Sequence, residues 1–481
     1  MKRLAAKIRL RYSGLTVFGS RLFQIVSGFL FTVAVTRNLT TYEFGIWQNI
    51  GDLQNYFTVF VTLLPGWQVR YLARGERNAG VSGVVLNLML SVPFALAFLF
   101  LSPLFARTFS TSAIYYGLAA LQIIELYLIP ALHGLSEATK PQVVGHVQTL
   151  REVVKIFFGL LLIVFFRLGV VGAIAAVAIT YAFDIIYLSI VFRDLLQARV
   201  RFSFLRDWGK GAVLSMYGVF SGKIASLDVL LLILMVGVEA RALYGAAILV
   251  GSLVTYATAL SAGLYPRLLS GGGRADVESV MKLTFLFAIP MAAGCVAYSI
   301  PFLTILNPAY LAARPILILS ALNSLIACFS AIFETVVFGA EKVDAEGGLT
   351  FRGLFKSSFF IIPTFGYLLT SAYIPLVYLS FSQSSGNPLL GAKILVLANT
   401  AVSLIGAAIR YRISKRRLDY RIPKVILKYV LSASVMAIAL YLLPQPSRPR
   451  RPGRQLSHSS RVGRFRRAAQ HRLHPLLHRL A

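Results

Sequence analysis

The segment FGIWQNIGDLQNYF at residues 44–57 has a counterpart two hundred residues later, YGAAILVGSLVTYA at 244–257. Aligned position by position, the matches are Phe44 with Tyr244, Gly45 with Gly245, Gly51 with Gly251, Leu53 with Leu253 and Tyr56 with Tyr256. Each segment lies in a longer apolar stretch of the kind that spans a membrane as a helix. The match therefore predicts two halves of related structure.

The composition places the chain among membrane proteins. Its 481 residues are 57% hydrophobic and only 14% charged, whereas soluble domains carry about 25% charged residues. A membrane span needs about twenty mostly apolar residues. Twelve stretches meet this requirement, and a thirteenth run lies at 425–443; the twelve are 13–36, 43–65, 81–101, 114–134, 147–166, 170–192, 211–236, 243–265, 283–305, 315–338, 355–380 and 390–410.

Lysine and arginine alternate between the connections of these spans. They concentrate at the amino terminus and in every second loop, as at 66–80, 193–210 and 410–424, whereas loops such as 381–389 lack them. Cytoplasmic loops are enriched in these residues, which predicts a multi-pass protein of the cytoplasmic (plasma) membrane with its N-terminus in the cytoplasm. The net charge of +30 then indicates contact with membrane lipids, and nucleic acid is not an expected partner.

Six spans followed by six more, both sets starting inside, define the expected architecture. It is an all-α polytopic membrane protein with 12–14 transmembrane helices in two six-helix repeats around a central cavity. The predicted domains are an N-terminal six-helix bundle at 1–200, a C-terminal one at 201–412, an additional hydrophobic segment at 413–443 and a basic tail at 444–481. For the tail, a cytoplasmic extension after a re-entrant segment, an out-of-frame translation and a disordered basic arm stay open.

Ionisable residues inside spans are costly and usually face a protein interior or a wet cavity. Arg21 in the first span and Lys223 in the seventh predict an electropositive cavity that binds a phosphate or pyrophosphate, with snorkelling of Arg21 as the alternative. Gln48, Asp52 and Asn55 share one helix face and are expected to line the cavity as substrate-binding residues. Contact between helices is the alternative for this face. Asp52 is also a candidate counter-ion for Arg21.

Three further carboxylates are candidates for coupling to a proton or sodium ion, Glu125, Asp184 and Asp228. Glu152 and Lys155, three residues apart, are expected to form a structural pair. The two cysteines and six histidines have no metal-ligand spacing. No catalytic residue, metal or cofactor is therefore expected, and the protein is not expected to be an enzyme.

Two stretches, TRNLTTYEFGIWQNI (36–50) and ALYGAAILVGSLV (242–254) with LYPRLLS (264–270), resemble the polysaccharide exporter or O-antigen flippase family. That family belongs to the multidrug/oligosaccharidyl-lipid/polysaccharide exporter superfamily. Its pattern is a cationic residue in an outer loop and an aromatic–glycine pair that opens the second helix, repeated in the second half and closed there by Tyr-Pro. The matching residues are Arg37, Phe44, Gly45, Tyr244, Gly245, Tyr265 and Pro266. Members have twelve or fourteen spans, so the thirteen here depart from the pattern.

The resemblance implies flipping of a polyprenyl-(pyro)phosphate-linked oligosaccharide or polysaccharide unit across the membrane by alternating access. The substrate is then a lipid-linked glycan, and glycan polymerase or transferase proteins are open as partners. Two alternatives remain. A cation-coupled multidrug exporter of the same superfamily would need an acidic cavity, and a non-transporting membrane scaffold for glycan synthesis would need no buried charge.

Overall fold

The computed structural model describes residues 10–140, 142–261, 263–269, 271–340, 357–384 and 386–442. Residues 10–19, 21, 22, 205, 207, 210–215, 266 and 269 are described by their backbone alone. Every regular element in these ranges is a helix, and the described residues up to 440 belong to one compact unit. The tail at 444–481 lies outside the described residues.

The first half, residues 10–196, begins its second helix at a capping box. The Thr40 side chain accepts from the Glu43 backbone N–H, and the Glu43 carboxylate accepts from the Thr40 backbone N–H at 2.8 Å, which satisfies free donors at the helix start. The helices of this half are α1 (Leu10–Asn38), α2 (Thr41–Phe57), α3 (Pro65–Ala73), α4 (Asn78–Thr108), α5 (Ala113–Thr139), α6 (Gln142–Gly159), continued by a π-helical segment (Leu160–Phe165), α7 (Gly169–Val191) and α8 (Arg193–Leu196).

The second half, residues 203–417, is followed by one more helix. Its helices are α9 (Ser203–Ala225), α10 (Leu227–Met235), α11 (Val238–Gly251) with a 3-10 continuation (Ser252–Ser261), α12 (Leu264–Leu269), α13 (Arg274–Ala297), α14 (Ser299–Leu306), a 3-10 turn (Pro308–Ala313), α15 (Arg314–Gly339), α16 (Ser358–Gln383) and α17 (Pro388–Arg417). The additional helix is α18 (Val425–Leu442).

The helices confirm the polytopic all-α class. Within the described ranges, ten helices are long and apolar enough to cross a membrane. Three predicted spans, the first, second and fifth, are not among the ten; they correspond to α1, α2 and α6. Together with the ten, these three helices give thirteen positions where the chain is expected to cross the membrane. The last is α18, at the predicted thirteenth run. The domain boundaries at 200 and 412 stay predictions.

Five predicted spans are not continuous α-helices, and one of them, at 283–305, is divided at Tyr298 between α13 and α14. The span at 43–65 is interrupted by turns between Phe57 and Pro65, after which the predicted loop 66–80 begins as α3. The span at 211–236 is divided at Ser226. The spans at 243–265 and 147–166 change to the 3-10 and π-helical segments. Hydropathy measures how apolar a segment is and does not measure its helix type, so the breaks and changes of helix type inside these spans were not part of the prediction.

A hydroxyl at every third residue explains the 3-10 continuation of α11. Thr255 Oγ1 donates to the Ser252 carbonyl at 2.6 Å, and Thr258 Oγ1 donates to the Thr255 carbonyl at 2.7 Å. Ser261 Oγ donates to the Thr258 carbonyl at 2.7 Å. A 3-10 helix has three residues per turn, so these side chains lie on one face, where each adds a second donor to a backbone carbonyl.

The two halves meet at one end of the bundle, which we call the closed end; it comprises residues 36–45, 237–241 and 304–310. Arg37 donates from Nε to the Ile305 carbonyl at 2.9 Å and from Nη2 to the Thr304 carbonyl at 3.0 Å. Thr36 Oγ1 donates to the Leu306 carbonyl at 3.0 Å. These carbonyls end α14, where free acceptors and the helix dipole favour a cation.

Candidate functional site

An ion pair between the two halves lies at the centre of the candidate site. Arg241 of α11 donates from Nε to Asp52 Oδ2 at 2.5 Å and from Nη2 to Asp52 Oδ1 at 2.9 Å. The same Nη2 donates to Gln48 Oε1, one turn earlier on α2, at 3.3 Å. The Arg241 side chain is 9% exposed and that of Asp52 is 23% exposed. A guanidinium that binds both oxygens of one carboxylate fixes the relative position of the helices that carry them.

Equivalent glycines of the two halves let α2 and α11 approach each other. A Cβ atom on Gly45 would overlap the backbone oxygen of Val238, and one on Gly245 would lie 3.2 Å from Gln48 Cδ. Small residues permit close approach of helix backbones in a membrane. The glycines at the start of the sequence repeat therefore form part of the contact between the halves.

A cavity of about 360 Å³ lies between the halves beside this ion pair. Its wall is built by α1, by Gln48 of α2, and by α11 with its 3-10 continuation. Apolar side chains such as Phe29 and Leu249 alternate with polar ones such as Thr32 and Tyr256. Among the described lining residues, Arg241 is the one that carries a charge. The cavity has the central position that the sequence predicts, and its cation is one that the prediction did not include.

Lys223 binds the end of α2 and does not line this cavity. Its Nζ donates to the Asn55 backbone oxygen at 2.5 Å and also to Asn55 Oδ1. Next to this contact, Tyr56 Oη donates to the Ser226 carbonyl at 2.7 Å, at the break between α9 and α10. Lys223 lies in the last turn of α9, where the helix dipole stabilises a cation. It is therefore a third cationic contact between the halves, besides those of Arg37 and Arg241.

The predicted polar face of α2 is directed toward the second half. Gln48 and Asp52 accept from Arg241, and Asn55 accepts from Lys223. Of the three, Gln48 also lines the cavity. Both interpretations of this face, cavity wall and contact between helices, therefore describe part of it.

Asp228 lies inside the second half and is 4% exposed. Its Oδ2 accepts from Tyr373 Oη at 2.7 Å and from Asn399 Nδ2 at 3.0 Å. Its Oδ1 accepts from the Val229 backbone N–H at 2.6 Å. Asn399 Nδ2 also donates to Tyr244 Oη at 3.2 Å, and Tyr244 lines the cavity. The carboxylate is thus enclosed by uncharged donors and linked to the cavity through Asn399.

Asp184 and Glu125 lie within the first half. Asp184 is fully buried; its Oδ2 accepts from Arg151 Nη1 at 3.2 Å and lies 3.2 Å from His133 Nε2. Glu125 Oε2 is buried without a hydrogen-bond partner among the described residues. The three candidates for ion coupling therefore do not form one site, because Asp228 belongs to the other half.

The Glu152–Lys155 contact is present within α6, and Glu152 is also bound by a residue of α1. Lys155 Nζ pairs with Glu152 Oε2, and Ser27 Oγ of α1 donates to the same oxygen at 2.6 Å. Glu152 is 1% exposed. The Ser27 hydrogen bond ties α6 to α1 inside the first half.

Sequence reasoning missed Arg241 because the predicted eighth span began at residue 243. The structure begins α11 at Val238, directly after Gly237, whose φ of 121° lies in the left-handed region that favours glycine. Gly237 followed by Glu239 in the first turn is a helix-start signal that could have placed Arg241 inside the span. For Arg21, the backbone lies in α1, but its side chain lies outside the described residues.

The groups at the cavity support ligand binding. They are one guanidinium, an amide, several hydroxyls and apolar side chains, a mixture suited to a ligand with a polar and an apolar part. In the part of the chain that the structure describes, no group of three or more His, Cys, Asp or Glu side chains could hold a metal ion.

The fold is similar to that of solved membrane transporters of the MOP superfamily. A multidrug resistance MATE family transporter of this superfamily in an inward-facing conformation matches with a TM-score of 0.55 at 13% identity, over 89% of this chain and 96% of that one. A MOP superfamily transporter from Pyrococcus furiosus, described as having a binding pocket of reverse polarity that suggests a different function, matches with a TM-score of 0.52 at 14% identity, over 85% and 94%.

A third similar structure is a MATE protein in the bent conformation. It matches with a TM-score of 0.51 at 15% identity, over 86% of this chain and 99% of that one. No protein-family model and no curated protein sequence matches the chain. At these identities the likeness establishes the fold alone, and the function has to be argued from the site.

Proposed function

We propose that the protein moves a polyprenyl-(pyro)phosphate-linked oligosaccharide across the cytoplasmic membrane by alternating access. The observation that carries this proposal is the charge of the cavity wall, where Arg241 is the charged residue among the described lining residues. A guanidinium binds phosphate oxygens in pairs. Apolar side chains such as Ile25, Phe29 and Leu249 lie on the same wall and suit the first isoprene units.

The three aspartates that a carrier of cationic drugs would use are engaged elsewhere. Both oxygens of Asp52 accept from Arg241. Asp228 is enclosed by uncharged donors, and Asp184 pairs with Arg151 inside the first half. Recognition of a cation in an apolar cavity needs an available anion, so this distribution of charge favours an anionic headgroup.

The path of the substrate follows from the charge of the loops. Because the loops at the closed end are those with few cations, this end is expected to face outward, and the headgroup would enter from the cytoplasmic side. Arg21 lies about one helical turn before cavity residue Ile25 on α1. We propose that Arg21 and Lys223 contact the phosphate on entry and that Arg241 holds it in the cavity.

The test is a flipping assay in vesicles with a fluorescent lipid-pyrophosphate-linked oligosaccharide. We expect Arg241→Gln to slow flipping by about tenfold or more, because a hydrogen bond to a charged group contributes roughly 1.5–3 kcal/mol. Arg241→Lys should retain part of the activity, since an ammonium keeps the charge without the planar fork. Arg193→Gln, which removes a cation of 77% exposure outside the cavity, is the control and should flip at the wild-type rate.

A cation-coupled multidrug exporter is the second candidate. Two observations favour it: the fold resembles that of a multidrug resistance MATE family transporter, and Asp52 is partly exposed beside the cavity. Vesicles that flip no lipid-linked glycan but export a cationic dye along an ion gradient would move the assignment to this function. A folded protein that does neither, with a glycan phenotype insensitive to Arg241→Gln, would support the non-transporting scaffold.

A further inference from the structure

We propose that Asp52 is a specificity and release residue that competes with the substrate phosphate for Arg241. This inference rests on the proposed function and assigns the ion pair a task within it. In the empty cavity Asp52 neutralises the guanidinium, and in the loaded cavity the phosphate shares the guanidinium with Asp52 against the repulsion between the two anions. The argument depends on which guanidinium nitrogens are already in use.

Arg241 has one nitrogen directed to a different neighbour. Nε and Nη2 donate to Asp52, whereas Nη1 lies beside Gly245, where an added Cβ would come within 2.7 Å of it. Gly245 lines the cavity. A phosphate that enters therefore meets Nη1 first, and paired binding at the end of the guanidinium requires Nη2 as well. Nη2 has two N–H groups, one bound to Asp52 and one directed to Gln48. A phosphate bound at this end therefore replaces Gln48, lies against the Asp52 carboxylate and competes with it for the charge of the guanidinium.

The competition weakens substrate binding and favours release. A carboxylate that keeps its Nε contact while phosphate binds the adjacent edge lies close to a like charge, and the repulsion is strong where water is scarce. Substrate binding thus loosens an ion pair that joins the two halves.

The experiment measures binding and transport in the full-length protein. The probes are a polyprenyl diphosphate and, as an uncharged control, the matching polyprenol, titrated against detergent-solubilised wild type, Asp52→Asn and Arg241→Gln. We expect Asp52→Asn to bind the diphosphate about tenfold more tightly, since a like charge is removed, and to flip the lipid-linked oligosaccharide more slowly because release is slower. Arg241→Gln should bind the diphosphate more weakly. Glu239→Gln, the same change at an exposed residue of α11, is the control.

The opposite direction of the two affinity changes is decisive, because a purely structural ion pair would give losses for both variants. Affinity of Asp52→Asn equal to or below that of wild type, with weaker binding by Arg241→Gln, would overturn the inference and leave the proposed function standing. A wild type that binds no diphosphate would overturn both. Asp52→Glu keeps the competing charge and should bind no more tightly than wild type, which tests the idea independently if the asparagine variant does not fold.

Discussion

At the scale of single residues, Gly45 and Gly51 of α2 differ in what surrounds them. A Cβ on Gly45 would overlap the backbone oxygen of Val238, whereas a Cβ on Gly51 would meet open space. We expect Gly45→Ala to lower the thermal midpoint by several degrees, since overpacking costs about 1–3 kcal/mol. Gly51→Ala should keep or raise it, because alanine is the better helix former by about 0.5–1 kcal/mol. Fluorescence-detected size exclusion after heating measures both, and equal midpoints would contradict the close approach.

Residue patterns in the sequence predicted which helix face a residue occupies better than which residue of another helix it contacts. The repeat placed Gly45 and Gly245 in equivalent helices, and both lie at the contact between halves. Helical periodicity put Gln48 and Asp52 on an inner face, which the structure supports. It could not supply Arg241, because that residue is 189 positions from Asp52 and their pairing depends on how whole helices pack. The candidates for ion coupling, Glu125 and Asp184 in the first half and Asp228 in the second, lie apart because their positions also depend on how whole helices pack.

At the scale of elements, the 3-10 continuation of α11 depends on its hydroxyls. We expect Thr255→Ala with Thr258→Ala to let the segment relax toward an α-helix, which is shorter by about 0.5 Å per residue. The shortening would shift α12 relative to α11 and slow transport several-fold while the protein still folds. Electron-paramagnetic-resonance distances between spin labels on α11 and α12 measure the change, with flipping rates in parallel.

The control for this pair is Thr400→Ala. Thr400 Oγ1 donates to the Val396 carbonyl, four residues back in α17, at 2.6 Å, so it is the same chemical group in ordinary α-helical spacing. An unchanged label distance in the double variant would mean that packing, and not the hydroxyls, holds the 3-10 form. The sequence SLVTYATALS at 252–261 carries this threefold period, which a search for apolar spans does not detect. In the first half, Pro65 is the first residue of α3, a position where proline is common. It therefore marks in the sequence where the interruption after Phe57 ends and a new helix begins.

At the scale of the whole molecule, the contacts between the two halves include two on the side of the closed end that lie at different depths. The closed end joins α1 to α14 through Arg37 and Thr36. Farther along α2, the Arg241–Asp52 pair joins α2 to α11 beside the cavity. Alternating access requires both to separate when the cavity turns to the other side. The sequence predicted the two halves and the cavity, whereas these contacts arise from loop ends and helix termini that no local pattern could align.

The contact of Arg37 with α14 at the closed end can be tested directly. Arg37→Ala removes two charge-assisted hydrogen bonds to α14, so we expect the population with this end open to rise about fivefold or more. A cysteine at Thr32, on the cavity wall, should then react faster with a membrane-impermeant maleimide added from the outer side. The native Cys295 and Cys328 are buried and contribute little labelling. Arg107→Ala, an exposed cation in the last turn of α4 at the same end, is the control, and equal labelling rates for the two variants would show that Arg37 does not hold the halves together.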